Sequence, residues 1–161
     1  MSFKLNKYQL EKYSRQIILK DVGALGQKKI IKSKVLIVGM GGLGCPVAEF
    51  LTRAGIGNIG IVDYDKVDLS NIHRQSLFNL KDLKKSKVIV AKKKLNKINI
   101  QTKVECYNLK LNKKNQSKII KKYDYIVDGS DNFETKLLVN DFCKKYKNCL
   151  LYTSDAADET V

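Results

Sequence analysis

The sequence predicts a doubly wound α/β domain, a mostly parallel sheet with helices on both faces, behind an N-terminal helical extension. Two observations carry that prediction. Short β-branched apolar runs, Val35-Leu36-Ile37-Val38, Ile59-Gly60-Ile61-Val62 and Tyr125-Ile126-Val127, alternate with stretches of helical periodicity, and each run stops at a glycine or an aspartate. At 161 residues with 43% apolar content, the chain is also large enough to bury a core and small enough to be one domain or a fragment of one. Residues 1–34 are assigned to the helical extension and 35–148 to the sheet domain, which is read as incomplete.

In order along the chain, Lys7 to Leu19 has the spacing of one helix and Leu25 to Ile31 that of a second. Val35–Val38 then reads as a buried parallel strand. The helical spacing of Val47, Leu51 and Ala54 follows, closed by Gly55 and Gly57, and Ile59–Val62 is the second strand, ending at Asp63. Val88, Ala91, Leu95 and Ile98 share one face of a basic helix, Thr102 to Tyr107 alternates like a strand, and Leu109 to Lys122 is weakly helical. Tyr125–Val127 is a strand ending at Asp128-Gly129-Ser130-Asp131-Asn132, and Phe133, Leu137, Asn140 and Asp141 give a last helix with a mixed face.

Composition excludes several functions. No apolar run approaches the roughly 20 residues that span a bilayer, and residues 1–7 lack the apolar core of a leader, so the chain is expected in the cytoplasm and off the membrane. The net charge of +15 suggests an anionic partner. Yet Arg15, Arg53 and Arg74 are the only arginines, and the lysines are spread along helical faces, as in Lys92-Lys93-Lys94 and Lys144-Lys145, with few aromatics to stack on bases. That pattern, with its many Asn and Ile residues, fits A/T-rich codons and a solvated surface better than a nucleic-acid patch. Cys45, Cys106, Cys143 and Cys149 have no CxxC spacing, and a single His73 builds neither a histidine metal site nor a triad.

Chemistry concentrates beyond the ends of the strands. Gly39-Met40-Gly41-Gly42-Leu43-Gly44 satisfies GxGxxG between a strand and a helix: the glycines permit a tight turn, phosphate approach and close packing, and the helix N-terminus offers N–H groups to an anion. Asp63, at the end of the next strand, has the position of a ribose-binding carboxylate in a Rossmann-like domain. Taken alone, this describes a nucleotide site, an NAD-dependent oxidoreductase included, or a turn that serves packing. The segment Asp63-Tyr64-Asp65-Lys66-Val67-Asp68-Leu69-Ser70-Asn71-Ile72-His73-Arg74-Gln75 narrows it. An Asn and an Arg in that loop suit a site that cleaves a triphosphate, with Arg74 binding phosphate bidentately and Asn71 positioning it. Lys87 adds a point charge, and Asp131 has the chemistry of a Mg²⁺ ligand.

With Tyr13-Ser14-Arg15-Gln16-Ile17, Gly26-Gln27, the glycine loop, Asp63 to Gln75, Lys87 and Asp128 to Asn132 in view, the chain resembles the ThiF/MoeB/HesA family, bacterial relatives of ubiquitin-activating enzymes. The resemblance covers nearly all of residues 8–148. It implies Mg²⁺- and ATP-dependent adenylation of the C-terminal Gly-Gly carboxylate of a ubiquitin-like sulfur carrier, ThiS- or MoaD-like, for thiamine or molybdopterin sulfur transfer. It places Gly39, Gly41, Gly42 and Gly44 against the phosphates, Asp63 on the ribose, and Ser70, Asn71 and Arg74 on phosphate and adenylate. It gives Lys87 the charge developing in the transition state, Asp131 the magnesium and Asn132 the nucleotide. Arg15 matches an arginine that enters the partner subunit's site, which implies a homodimer, and makes a fourth catalytic candidate beside Arg74, Lys87 and Asp131. A variant branch acts on a modified tRNA adenosine; the Tyr13-Ser14-Arg15-Gln16 opening leans toward carrier activation instead.

Two departures qualify the match. The family normally continues into a crossover loop, often with a reactive cysteine, and frequently into two CxxC pairs that bind a structural Zn²⁺; none of these is in the sequence, so the resemblance leaves room for a structural zinc only in a missing C-terminal part. Residues 149–161 contain no lysine and hold Asp155, Asp158 and Glu159. The string from Cys149 to Glu159 resembles the translation of a sequencing-library adapter, so 149–161 is read as a non-native tail and set apart from the fold.

Overall fold

The computed structural model describes residues 4–146 and 148–152. Five parallel strands, β1 (Lys34–Val38), β2 (Asn58–Val62), β3 (Lys103–Tyr107), β4 (Tyr125–Asp128) and β5 (Cys149–Tyr152), form one sheet in the order β3-β2-β1-β4-β5. The chain builds outward from β1 to β3, then returns to lay β4 on the other side of β1, which is the reversal that defines a doubly wound fold. Helices α1 (Lys7–Lys12), α2 (Ser14–Ile17) and α3 (Gly23–Lys32) precede the sheet, and α4 (Gly44–Ala54), α5 (Lys87–Ile98), α6 (Gln116–Ile120) and α7 (Phe133–Tyr146) connect or flank its strands.

Strand alternation builds a core on each face. Val35, Ile37, Ile59, Ile61 and Val127 point to the side that holds Ala48 of α4 and Val88, Ala91 and Leu95 of α5. Leu36, Val38, Val62 and Ile126 point to the side that holds Ile119 and Ile120 of α6 and Val139 and Phe142 of α7. With both faces covered, the central strands have no solvent side, and their sequences are continuously apolar for that reason. Among the described residues, no helix is long and apolar enough to cross a membrane.

Three expectations change. The single helix from Lys7 to Leu19 is two short helices broken at Tyr13, whose side chain is 2% exposed and anchors the extension to the sheet domain. Its hydroxyl accepts from Asn99 Nδ2 at 3.1 Å, and its ring lies over Gly55, which ends α4 at φ +91 and where a Cβ would stand 2.5 Å from the ring. The weak helix from Leu109 to Lys122 contracts to α6, because the first residues are drawn to the sheet: Leu111 is buried, and Asn112 and Asn115 close a turn by side-chain hydrogen bonds. Cys149–Tyr152, set apart from the fold on composition, pairs in parallel register with β4. Thr153–Val161, the remainder of that tail, lie outside the described residues, as do Met1–Phe3.

Candidate functional site

The reversal between β1 and β4 opens a cleft of about 250 Å³ at the carboxyl ends of the strands. Its floor is the glycine loop. Gly39 takes φ +90, and a Cβ there would stand 2.8 Å from the Gly129 carbonyl oxygen; a Cβ on Gly44 would stand 1.9 Å from the Gly39 carbonyl. Both positions therefore require glycine, one because the loops after β1 and β4 touch, the other because α4 starts hard against β1. Gly41 faces open space in the cleft. The first turn of α4 has no side-chain cap, but Cys45 and Val47 N–H donate to the Gly41 and Leu43 carbonyls and Pro46 has no N–H, so what α4 offers an anion at the cleft is chiefly the positive end of its dipole.

Asp63 braces this floor. One carboxylate oxygen accepts from Met40 N–H at 2.7 Å and the other from Asp65 N–H at 2.7 Å, tying the glycine loop to the segment after β2. That segment runs through a short 3₁₀ turn, Leu69–Asn71, whose Asn71 carbonyl accepts from the N–H groups of Arg74 and Gln75. The turn swings Arg74 back over the glycine loop, where its aliphatic stem lies 3.4 Å from the point a Gly42 Cβ would occupy. Lys87, the first residue of α5, is 4% exposed and donates from Nζ to Asp65 Oδ2 at 2.9 Å.

The opposite wall comes from the loop after β4. Asp128 is fully buried and accepts from Ser130 N–H at 3.0 Å and Ser130 Oγ at 2.6 Å, which folds the loop so that Asp131 is presented exposed at the cleft. Asn132 caps α7 by accepting from Thr135 N–H at 2.9 Å. Leu109, Lys110 and Leu111 close the side above β3, and Lys110 reaches Glu134 at 3.2 Å.

Of the residues that the sequence singled out, Gly39, Gly41, Gly42, Asp63, Asn71, Arg74, Lys87, Asp131 and Asn132 line this one cleft. Gly44 sits under it as a packing residue. Ser70 is outside the lining: its hydroxyl donates to Asp68 Oδ1 at 2.7 Å and its N–H to the same oxygen. With Lys84, those bonds hold the Asp68 carboxyl down at about 2. Arg15 is exposed on α2, also outside the lining. The cleft adds Asp65, Gln75, Lys110, Thr135 and Lys136. Gln75 is 3% exposed with no hydrogen-bond partner for Oε1, an acceptor a ligand donor would satisfy. Its place beside Arg74 in the sequence was the available signal. Cys45 lies beneath the loop and donates to Met40 O at 3.4 Å; burial pushes its thiol up to about 12, so it packs and does not react.

A magnesium ion suits this donor set. Mg²⁺ takes one or two carboxylates, substrate phosphates and water, so an exposed Asp131 at an open cleft meets its needs without a closed cage. No group of three or more His, Cys, Asp or Glu side chains among the described residues offers such a cage.

Known proteins resemble this chain in sequence or in fold. The sulfur carrier protein adenylyltransferase of Thermus thermophilus is 44% identical over 135 residues, which are 84% of this chain and 50% of that protein. E. coli MccB, solved with AMPCPP and MccA, is 29% identical with a TM-score of 0.81 over 92% of this chain and 45% of that one. The E. coli tRNA N6-threonylcarbamoyladenosine dehydratase TcdA shares the fold, with a TM-score of 0.89 at 24% identity over 96% of this chain and 64% of that one. The chain spans half or less of the length of the curated relatives it matches. The profile of the ThiF family matches residues 13–158, from the tyrosine that anchors the helical extension through every wall of the cleft, and the chain belongs to that family.

Proposed function

We propose that the intact protein adenylates the C-terminal Gly-Gly carboxylate of a small ubiquitin-like sulfur carrier, using ATP and Mg²⁺, in the cytoplasm, for thiamine or molybdopterin sulfur transfer. The observation that carries this reading is the convergence of Arg74, Lys87 and Asp131 with the uncapped start of α4 in a single cleft braced by Asp63. The 44% identity to a carrier adenylyltransferase, against 24% to the tRNA-directed TcdA, supports the carrier branch.

In this reading the ribose binds at Asp63 and the phosphates lie over Gly41 and Gly42. A carrier carboxylate oxygen attacks the α-phosphorus, the bond from that phosphorus to the bridging oxygen breaks, and pyrophosphate leaves. The attacking group is already ionised, so no residue needs to act as general base. Catalysis rests on alignment and on cations set where negative charge grows. Arg74 and Asn71 hold the phosphates, Lys87 faces the charge on the departing group, and Asn132 orients the nucleotide. Asp131 would hold magnesium, which supplies charge neutralisation at the phosphates when bound. Arg15 serves the site of a second subunit in a homodimer; its exposure on α2 beside the exposed Ile18 and Leu19 supports that. Residues 149–161 remain proposed as a foreign tail, with any zinc in a segment that replaces it.

Calorimetric titration with Mg-ATP and, separately, NAD tests the nucleotide assignment on this chain; binding of NAD in preference to ATP would favour an oxidoreductase. Carrier-dependent ATP–pyrophosphate exchange by the intact protein tests the reaction, and absence of exchange with any Gly-Gly-ended carrier would overturn it.

A further inference from the structure

Lys87 raises a question that its assignment to phosphate does not answer: what holds a long, flexible cation in place before substrate arrives? Its side chain is almost entirely buried, and a buried ammonium without a partner is costly. The partner is Asp65, whose Oδ2 is 2.9 Å from Nζ and whose side chain stays half exposed at the cleft. The same two residues are joined through the backbone, Lys87 N–H donating to the Asp65 carbonyl at 3.0 Å, with Lys66 and Ser86 bridged beside them. Asp65 is itself fixed, because its N–H donates to Asp63 Oδ1 at 2.7 Å. A continuous chain of bonds thus runs from the glycine loop through Asp63 and Asp65 to the Lys87 amine.

We infer that Asp65 is a positioning residue, which fixes the Lys87 ammonium toward the polyphosphate end of the nucleotide; the inference rests on the nucleotide reading of the cleft. An ammonium has three donors. Asp65 takes one and leaves two for phosphate oxygens, so Lys87 need not let go of Asp65 to engage ATP. Freezing the four-carbon stem in advance removes from the binding step most of the rotamer freedom that a loose lysine would lose on meeting phosphate. The inference runs against simple electrostatics, in which deleting a carboxylate beside an anion site strengthens anion binding. The sign of the effect therefore decides between the two.

The test compares Asp65→Asn, Lys87→Met and the double variant by calorimetry with ATP and with AMP, in EDTA and in magnesium. Asp65→Asn is expected to weaken ATP binding about tenfold, in EDTA as in magnesium, while AMP binding stays within about twofold, since the glycine loop and Asp63 are untouched. In the Lys87→Met background the second substitution should change ATP affinity by less than about twofold. Tighter ATP binding by Asp65→Asn, an equal loss for ATP and AMP, a loss seen only with magnesium, or additivity with Lys87→Met would each overturn the inference. Acetylation with acetic anhydride, read by mass spectrometry without nucleotide, tests the pair separately: Lys87 should label about five times faster in Asp65→Asn. Equal labelling would show that Asp65 does not hold the amine. If the unmutated chain binds neither nucleotide, the nucleotide reading falls; if it binds ATP and Asp65→Asn matches it, only the positioning role falls.

Discussion

Replacing Asp63 by Asn separates two functions that one carboxylate combines. The oxygens of Asp63 accept from Met40 N–H and from Asp65 N–H, both at 2.7 Å. An amide keeps one acceptor and turns an NH₂ toward the other N–H, so one charge-assisted bond is lost and one backbone donor is opposed; together these cost about 2 kcal/mol. For a domain of this size, about 1 kcal/mol moves the melting temperature by roughly 2–4 °C, so Asp63→Asn should melt about 4–8 °C lower. The ribose contact proposed for Asp63 adds a ligand-dependent expectation. At ATP about 100 times its Kd, ligand stabilises by about 2.7 kcal/mol; if the variant binds about tenfold more weakly, the same ATP adds only about 1.4 kcal/mol. The chain has no Trp, so unfolding followed by far-UV circular dichroism, with and without Mg-ATP, is the suitable assay. An unchanged melting temperature without nucleotide would show that the carboxylate does not brace the loop. An unchanged increment with ATP would remove Asp63 from the ribose.

Further expectations cover catalysis, backbone and titration. Arg74→Ala or Asp131→Ala in the intact protein should lower ATP–pyrophosphate exchange at least about 100-fold, and near-normal exchange in either would remove that residue from its role. Gly55→Ala places a side chain at φ +91 and 2.5 Å from the Tyr13 ring, so it should cost about 3 kcal/mol or more, read as a fall in the urea midpoint with unchanged slope. The buried thiols of Cys45 and Cys143, pushed up to about 12 and about 11, should resist a disulfide reagent at pH 8 until the protein unfolds, whereas the exposed Cys149 should react in the native state. The Asp68 carboxyl, held at about 2 by Ser70 and Lys84, contributes stability that is present above pH 3.8 and lost as pH falls toward 2; its NMR titration should move back up in Ser70→Ala.

The sequence displayed strands and chemistry more clearly than it displayed support. Strands β1, β2 and β4 were legible because burial on both faces leaves their apolar runs unbroken, Asp63 and Asp131 because charged residues just past such runs have few other reasons to be there, and Arg74 from its place with Asn71 in the loop after β2. The break at Tyr13 was not legible, since the partners that impose it, Gly55 and Asn99, lie 42 and 86 residues away. Leu109 to Lys122 kept helical spacing while its first residues were needed at the rim of the cleft. Ser70 lies outside the lining for a local reason: the Asp68 carboxylate closes an Asx-type turn by accepting from the Ser70 N–H, and the same oxygen takes the Ser70 hydroxyl. Asp65 went unassigned because its importance lies in a contact with Lys87, 22 residues on, to which spacing gives no clue.

The contact between Gly39 and Gly129 also bears on when the cleft comes into being. The two loops are about 90 residues apart in the chain, and the sheet reaches β4 only after β1, β2 and β3 have been made. A nascent chain released as far as β3 carries the whole glycine loop and the Asp63 to Gln75 segment but only half a cleft, with β1 still presenting an unpaired edge. Nucleotide affinity is then a late arrival in folding, dependent on the contact of greatest sequence separation in the site. On the nucleotide reading proposed above, ATP would stabilise the chain only after β4 has docked, and would select against intermediates that stop short of it.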